Sequence, residues 1–242
     1  MSEGAFTIDK SKEFVSFNMD TDDLQKRPVG SLLVEIQPFL IITSKDILLL
    51  DTGLGFIEED GILQIHKNLS KHGISASDVT KVLMTHLHKD HSGGICKGND
   101  TAAKNSISFE NADYYINQHE FDFAFEKGTP SYHINDFEIL RNNDQVQFTQ
   151  GNGVIDNYIK YEVTGAHSPY HQVFWIIEDG QKVFFGGDVA PQLQQMKSRF
   201  VAKYDYDGKK SMELRQQWWK QGELEKWTFL FYHDLRSPSI SF

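Results

Sequence analysis

The segment His86-Leu87-His88-Lys89-Asp90-His91 sets three imidazoles and a carboxylate within six residues. Neutral imidazole and carboxylate are the usual ligands of zinc and its neighbours. This H-x-H-x-D-H spacing makes His86, His88, Asp90 and His91 candidate metal ligands. Four ligands from one loop can hold one tetrahedral cation, and further ligands elsewhere would imply a second. A divalent cation lowers the pKa of bound water from 15.7 toward about 7, so the chemistry it points to is hydrolysis without a side-chain nucleophile. In keeping with that, no G-x-S-x-G pattern occurs.

Three more candidates stand where apolar runs end. His167 follows "YIKYEVTG", Asp188 follows "KVFFGG" and His233 follows "TFLFY". In layered α/β proteins function gathers in the loops at such strand ends.

"SLLVEIQPFLIITSKDILLLDTGLG" is a set of strands with "SKD" at a turn, and "ILLL" is apolar on both faces, as in a strand covered on both sides. "GILQIHKNLSKHGI" fits a short amphipathic helix stopped by Gly73. "KVLMTHL" is a buried strand, and the histidine cluster begins at its end. "NADYYINQHEF" runs from strand to helix. "QVFWIIEDGQKVFFGGDVA" is a hairpin that shares its plan with "FLIITSKDILLLDTG": apolar strand, polar turn, apolar strand, then Asp beside Gly. The repeat of that plan suggests two sheets related by an approximate twofold. "KSMELRQQWWKQGELEKW" is helical and "TFLFY" is a last strand. With no Pro/Gly/Ser-rich linker, residues 1–242 read as one α/β domain, helices outside and sheets inside. A helical insertion at about 117–147 interrupts it, and Phe121, Phe123, Phe125, Tyr132 and Phe137 are shared between a pocket wall and the core, with the larger part expected in the core.

The chain has 242 residues and a net charge of −10, which disfavours a nucleic-acid partner. Its single cysteine, Cys96, permits no intramolecular disulfide and is read as a bystander. The start "MSEGAFTIDKSKEF" lacks a basic and an apolar region, and no apolar run approaches a membrane span, so a cytoplasmic protein without membrane contact is expected.

Taken together, the histidine cluster, "GAHSPYH", "GGD" and "FYHD" in this order resemble the metallo-β-lactamase fold superfamily, from "LLLDTG" to "FYHD". That resemblance implies a four-layer αββα sandwich with its metal site at one edge of the two sheets. It implies that His86, His88 and His167 hold a first cation, Asp90, His91 and His233 a second, and that Asp188 bridges them. Asp51 would hydrogen-bond to the ligand loop, and His171 would act behind His167. Two divalent ions are implied, zinc by default on ligand type, with iron, manganese and cobalt as alternatives.

The departures within the superfamily narrow the branch. Asp188 stands where common class B β-lactamases carry cysteine, His88 stands where flavodiiron proteins carry glutamate, and the nine residues after His233 leave no counterpart of the glyoxalase II glutathione region. The chain looks most similar to the N-acyl homoserine lactone lactonases, with Ala166 and Tyr170 in place of two glycines and Pro191 at the position of a substrate-binding tyrosine. Tyr170, Tyr204 or Tyr206 would have to replace that tyrosine. The expected activity is hydrolysis of a lactone or related ester by a hydroxide shared between two cations, with Asp90 or Asp188 relaying the proton. Two other readings stay open: a mononuclear iron enzyme like the persulfide dioxygenases, and a member that keeps its metals and binds a small molecule without turnover. "WIIEDGQKVFF" and "SPSISF" offer a surface for a homodimer.

Overall fold

In the computed structural model, which describes residues 1–97 and 106–242, the chain builds three sheets. The first is small, with β1 (Gly4–Ile8) between β2 (Phe14–Ser16) and β3 (Leu32–Ile36). The second is formed in order by β4 (Phe39–Ile42), β5 (Ile47–Leu50), β6 (Lys81–Leu83), β7 (Asp113–Asn117) and β8 (Val146–Thr149). The third contains β9 (Gly153–Ile155), β10 (Ile159–Val163), β11 (Gln172–Glu178), β12 (Gln181–Phe185), β13 (Thr228–Leu230) and β14 (Ser239–Ser241), ordered β14-β13-β12-β11-β10-β9.

The helices are α1 (Gln64–Ser70), α2 (Lys89–Ser92), α3 (Gln118–Lys127), α4 (Ile134–Phe137), α5 (Leu193–Met196) and α6 (Gly208–Glu225). Among the described residues none is long and apolar enough to cross a membrane.

The side-chain alternation of a strand explains the layering. In β5, Leu48 and Leu50 point into the space between the sheets and meet Phe174 and Ile176 of β11 and Phe185 of β12. Leu49 points the other way, into a cluster with Ile65 and Leu69 of α1 and Phe121 of α3. All three leucines are fully buried. The third sheet repeats the scheme: Val173, Trp175 and Phe184 turn outward against Trp218 of α6. The layers therefore run helix, sheet, sheet, helix, and the chain has the expected αββα sandwich.

Both hairpins seen in the sequence form, one per sheet. At the β11–β12 turn Asp179 and Gly180 take φ values of 49° and 76°, the left-handed pair that a two-residue hairpin requires. The α6 helix is capped by Asp207, whose carboxylate accepts the Lys210 N–H at 3.0 Å. Its buried residues Ser211, Arg215, Trp218 and Gly222 recur every three or four positions and form the stripe laid on the sheet.

Strand direction then gathers the loops. Strands β5, β6, β7 and β8 are mutually parallel, β12 and β13 are parallel, and β10 shares their direction because β11 runs against both β10 and β12. Asp51 follows β5, the histidine cluster follows β6, His167 follows β10, Asp188 follows β12 and His233 follows β13. All of them emerge at the same edge of the sandwich.

Candidate metal centre

At that edge seven side chains converge in two groups. His86, His88, His167 and Asp188 bring one nitrogen or oxygen each to within 4.8 Å of one another, and so do Asp90, His91 and His233. In the first group His86 Nε2 lies 2.9 Å from His88 Nδ1, and His167 Nε2 lies 3.1 Å from the same atom. Asp188 faces both groups. Its Oδ2 is 3.2 Å from His167 Nε2, while its Oδ1 is 3.1 Å from His91 Nε2 and 2.9 Å from His233 Nε2. Asp90 Oδ2 stands 3.7 and 3.5 Å from the same two nitrogens.

These atoms suit cations. Three ring nitrogens pointing at one another cannot all be satisfied by the hydrogens they carry. His91 Nε2 and Asp188 Oδ1 are buried, face each other, and have no properly directed hydrogen bond. Converging lone pairs in a buried place are stabilised by a positive centre among them. Nitrogen and oxygen donors without a thiolate match zinc, iron, manganese or cobalt.

The charge states follow from the surroundings. Burial, reinforced by neighbouring imidazoles, holds His86 and His88 well below the usual histidine range, so both are neutral and ready to ligate. Burial also opposes charge on His91 and His233, but Asp188 and Asp90 outweigh it and raise both. Burial would push the Asp188 carboxyl up, yet His233, His91 and His167 draw it well below the carboxylate range. Asp188 is therefore an anion.

Several of the converging residues have a partner behind them. Asp51 Oδ2 lies 2.8 Å from His91 Nδ1, and its carboxylate accepts the Thr85 N–H at 2.7 Å and the Thr85 hydroxyl at 2.8 Å. Tyr232 stacks on the His91 ring with centroids 4.1 Å apart and donates its hydroxyl to Asp90 O at 2.6 Å. His233 Nδ1 lies 2.7 Å from Glu35 O, a pairing that leaves Nε2 to face Asp188. His171 turns its Nε2 to the Asp188 backbone N–H at 3.2 Å, so it supports Asp188 more directly than His167. Gly187 makes the Asp188 turn feasible. Its φ is 48°, and a Cβ there would stand 2.8 Å from both His171 Nε2 and Thr85 Cγ2. Such partners fix ring orientation and tautomer.

Three such partners escaped the sequence reading. Asp205 Oδ1 lies 2.8 Å from His167 Nδ1. Glu120, fully buried in the first turn of α3, accepts the Ser168 hydroxyl at 2.7 Å, the Tyr132 hydroxyl at 3.1 Å and the Leu87 N–H at 3.3 Å. It thereby ties the helical segment to both histidine-bearing loops. Arg215, buried in α6, donates to Val189 O at 2.9 Å and Phe200 O at 2.6 Å and holds the loop after Asp188. An Asp or Glu far along the chain carries no local signal of such a role.

A cavity of about 490 Å³ opens onto His88, Asp90, His167, Asp188 and His233. Phe123, Tyr132, Tyr204 and Tyr206 line it, as does Pro191. Phe121, Phe125 and Phe137 do not: they pack on one another, with centroids 5.1, 6.0 and 5.4 Å apart, on the outer face of the second sheet. Tyr170 also stays out of the lining, its ring held between His119 and Phe123. The opposite wall comes from the small first sheet, through Ile8, Phe14, Leu32 and Val34, a contribution the sequence reading did not foresee.

A family model for the metallo-beta-lactamase superfamily matches residues 35–233, and the chain belongs to that superfamily. Among curated proteins no match was found. Among solved structures, a probable metal-dependent hydrolase from Staphylococcus aureus is 22% identical, with 98% of this chain and 89% of that one covered and a TM-score of 0.77. AidC, a dizinc quorum-quenching lactonase in complex with a product, is 20% identical over 98% and 87%, with a TM-score of 0.72. An N-acyl homoserine lactone hydrolase with N-hexanoyl-L-homoserine bound at its catalytic metal centre is 18% identical over 97% and 92%, with a TM-score of 0.68. At these identities the likeness is one of fold.

Proposed function

We propose that the protein is a binuclear metal-dependent hydrolase that cleaves a carboxylic ester, a lactone or a related substrate. The observation that carries this reading is the position of Asp188, which offers one carboxylate oxygen to each of two complete ligand groups. His86, His88 and His167 would hold one cation and Asp90, His91 and His233 the other, with Asp188 between them. Cations so held supply Lewis acidity and lower the pKa of water.

The chain's own residues do the rest. Asp90 and Asp188 face the cavity and are placed to accept the proton of the attacking water and pass it to the leaving oxygen. Tyr204 and Tyr206 line the cavity and would offer a hydroxyl to a substrate carbonyl, as Pro191 has none to offer. The apolar walls seat the acyl portion and exclude bulk water. The solved lactonases support the lactone choice through their shared fold.

The test is kcat/KM on a panel of homoserine lactones and aryl esters, with metal-loaded protein, chelator-treated protein and the Asp188→Ala variant. Hydrolysis that chelator abolishes and metal restores is expected, with at least a hundredfold loss in the variant. Metal-bearing protein with no hydrolysis of any member of the panel would sink the reading.

A further inference from the structure

The chain carries a net charge of −10, yet the cavity is not an acidic place. The carboxylates lining it, Asp90, Asp188 and Asp205, each face a histidine. Its other charged side chains are Lys12, Lys89 and Lys127. Among the described residues none of these three forms an ion pair. The lysines that do, namely 67, 81, 97, 160, 182 and 209, include none that lines the cavity.

The three are placed by different elements. Lys12 sits in the turn between β1 and β2, where its backbone N–H bonds to Asp9 O at 3.1 Å. Its side chain lines the cavity together with His88 and Lys89. Lys89 lies over the Phe14 ring, 5.6 Å from its centroid, and Lys127 lies over Phe123 at 5.3 Å. Both ammonium groups therefore lie against the aromatic wall itself. Asp90 within the lining, and Glu13 and Asp136 outside it, act on Lys89. Ammonium groups beside apolar surface that no carboxylate holds in an ion pair, Lys12 and Lys89 half-buried and Lys127 exposed, are stabilised by an anion that enters with the ligand.

From this arrangement we infer that the substrate is an anionic ester: an acyl group with an apolar segment and a carboxylate-type charge, held along the Phe14 and Phe123 walls with its charge among the three lysines. This rests on the hydrolase reading and narrows it to a substrate class. Water adds across the acyl C–O bond, its hydroxyl going to the carbonyl carbon and its proton to the leaving oxygen, so no co-reactant is needed.

The test compares mono-4-nitrophenyl adipate, an anion, with its neutral methyl ester on the metal-loaded protein. At low salt kcat/KM is expected to be about tenfold higher for the anion, with the ratio falling toward unity as salt rises to about 0.5 M. Lys12→Gln/Lys127→Gln should lower the ratio by about tenfold, whereas Lys209→Gln on the surface of α6 should keep it. Equal rates at low salt, or a ratio that the double variant keeps, would overturn the inference. If neither ester turns over, the hydrolase reading falls and thermal unfolding decides the inference separately. A midpoint rise with adipate but not with adipamide, lost in the double variant, upholds the anion site. Equal effects of the two, or a rise the double variant retains, reject it.

Discussion

Asp51 Oδ2 and His91 Nδ1 lie 2.8 Å apart in complete burial, joining the end of β5 to the loop after β6. The same carboxylate takes both Thr85 donors, so it fixes the His91 ring and the backbone from which His86 departs. Asp51→Ala should weaken binding of the cation that Asp90, His91 and His233 would hold by about 10–100-fold. A metal titration with a chromophoric chelator measures this, and an unchanged affinity would show that Asp51 serves the fold alone.

Glu120 is the hub between α3 and the site. Glu120→Ala leaves the Ser168 and Tyr132 hydroxyls and the Leu87 N–H without their acceptor. Urea unfolding should show a loss of about 3 kcal/mol. Glu120→Gln keeps two of the three acceptances and should recover most of it.

Gly187 carries a positive φ and has no room for a side chain. Gly187→Ala should displace Asp188, lower the unfolding midpoint and reduce metal content together. Metal analysis and a melting curve on the same preparation check both effects.

Metal affinity should rise with pH through the neutral range. A ligand nitrogen must be unprotonated, and the carboxylates around His91 and His233 raise their pKa values above the ordinary 6.5 against the pull of burial. Below those raised values the cation that Asp90, His91 and His233 would hold must displace protons, which costs affinity about tenfold per pH unit for each proton released; above them the dependence levels off. Competition titrations between pH 6 and 9 test the sign, and an affinity that falls with pH would contradict it.

The seven converging residues were legible in the sequence because each follows an apolar strand, and strand ends of like direction meet at one edge. Leu48, Leu49 and Leu50 announced a strand covered on both faces, and the two hairpins announced two sheets. Glu120 and Asp205 were hidden, since their partners Ser168 and His167 lie 48 and 38 residues away with no periodicity to mark the pairing. The first sheet was hidden too. β1 and β2 are short, and their apolar residues serve a cavity wall that only tertiary packing creates. Phe121, Phe123 and Phe125 show the same limit: helix geometry, not residue type, sends the middle one to the cavity and the other two to the core.

The central claim is that Asp188 joins two cation sites. Elemental analysis of divalent metal per chain, on the purified protein beside Asp188→Ala, tests it most directly. Two ions per chain in the wild type, falling to one or none in the variant, is the predicted result. A wild type with no metal, or with a single ion that the variant keeps, would contradict it.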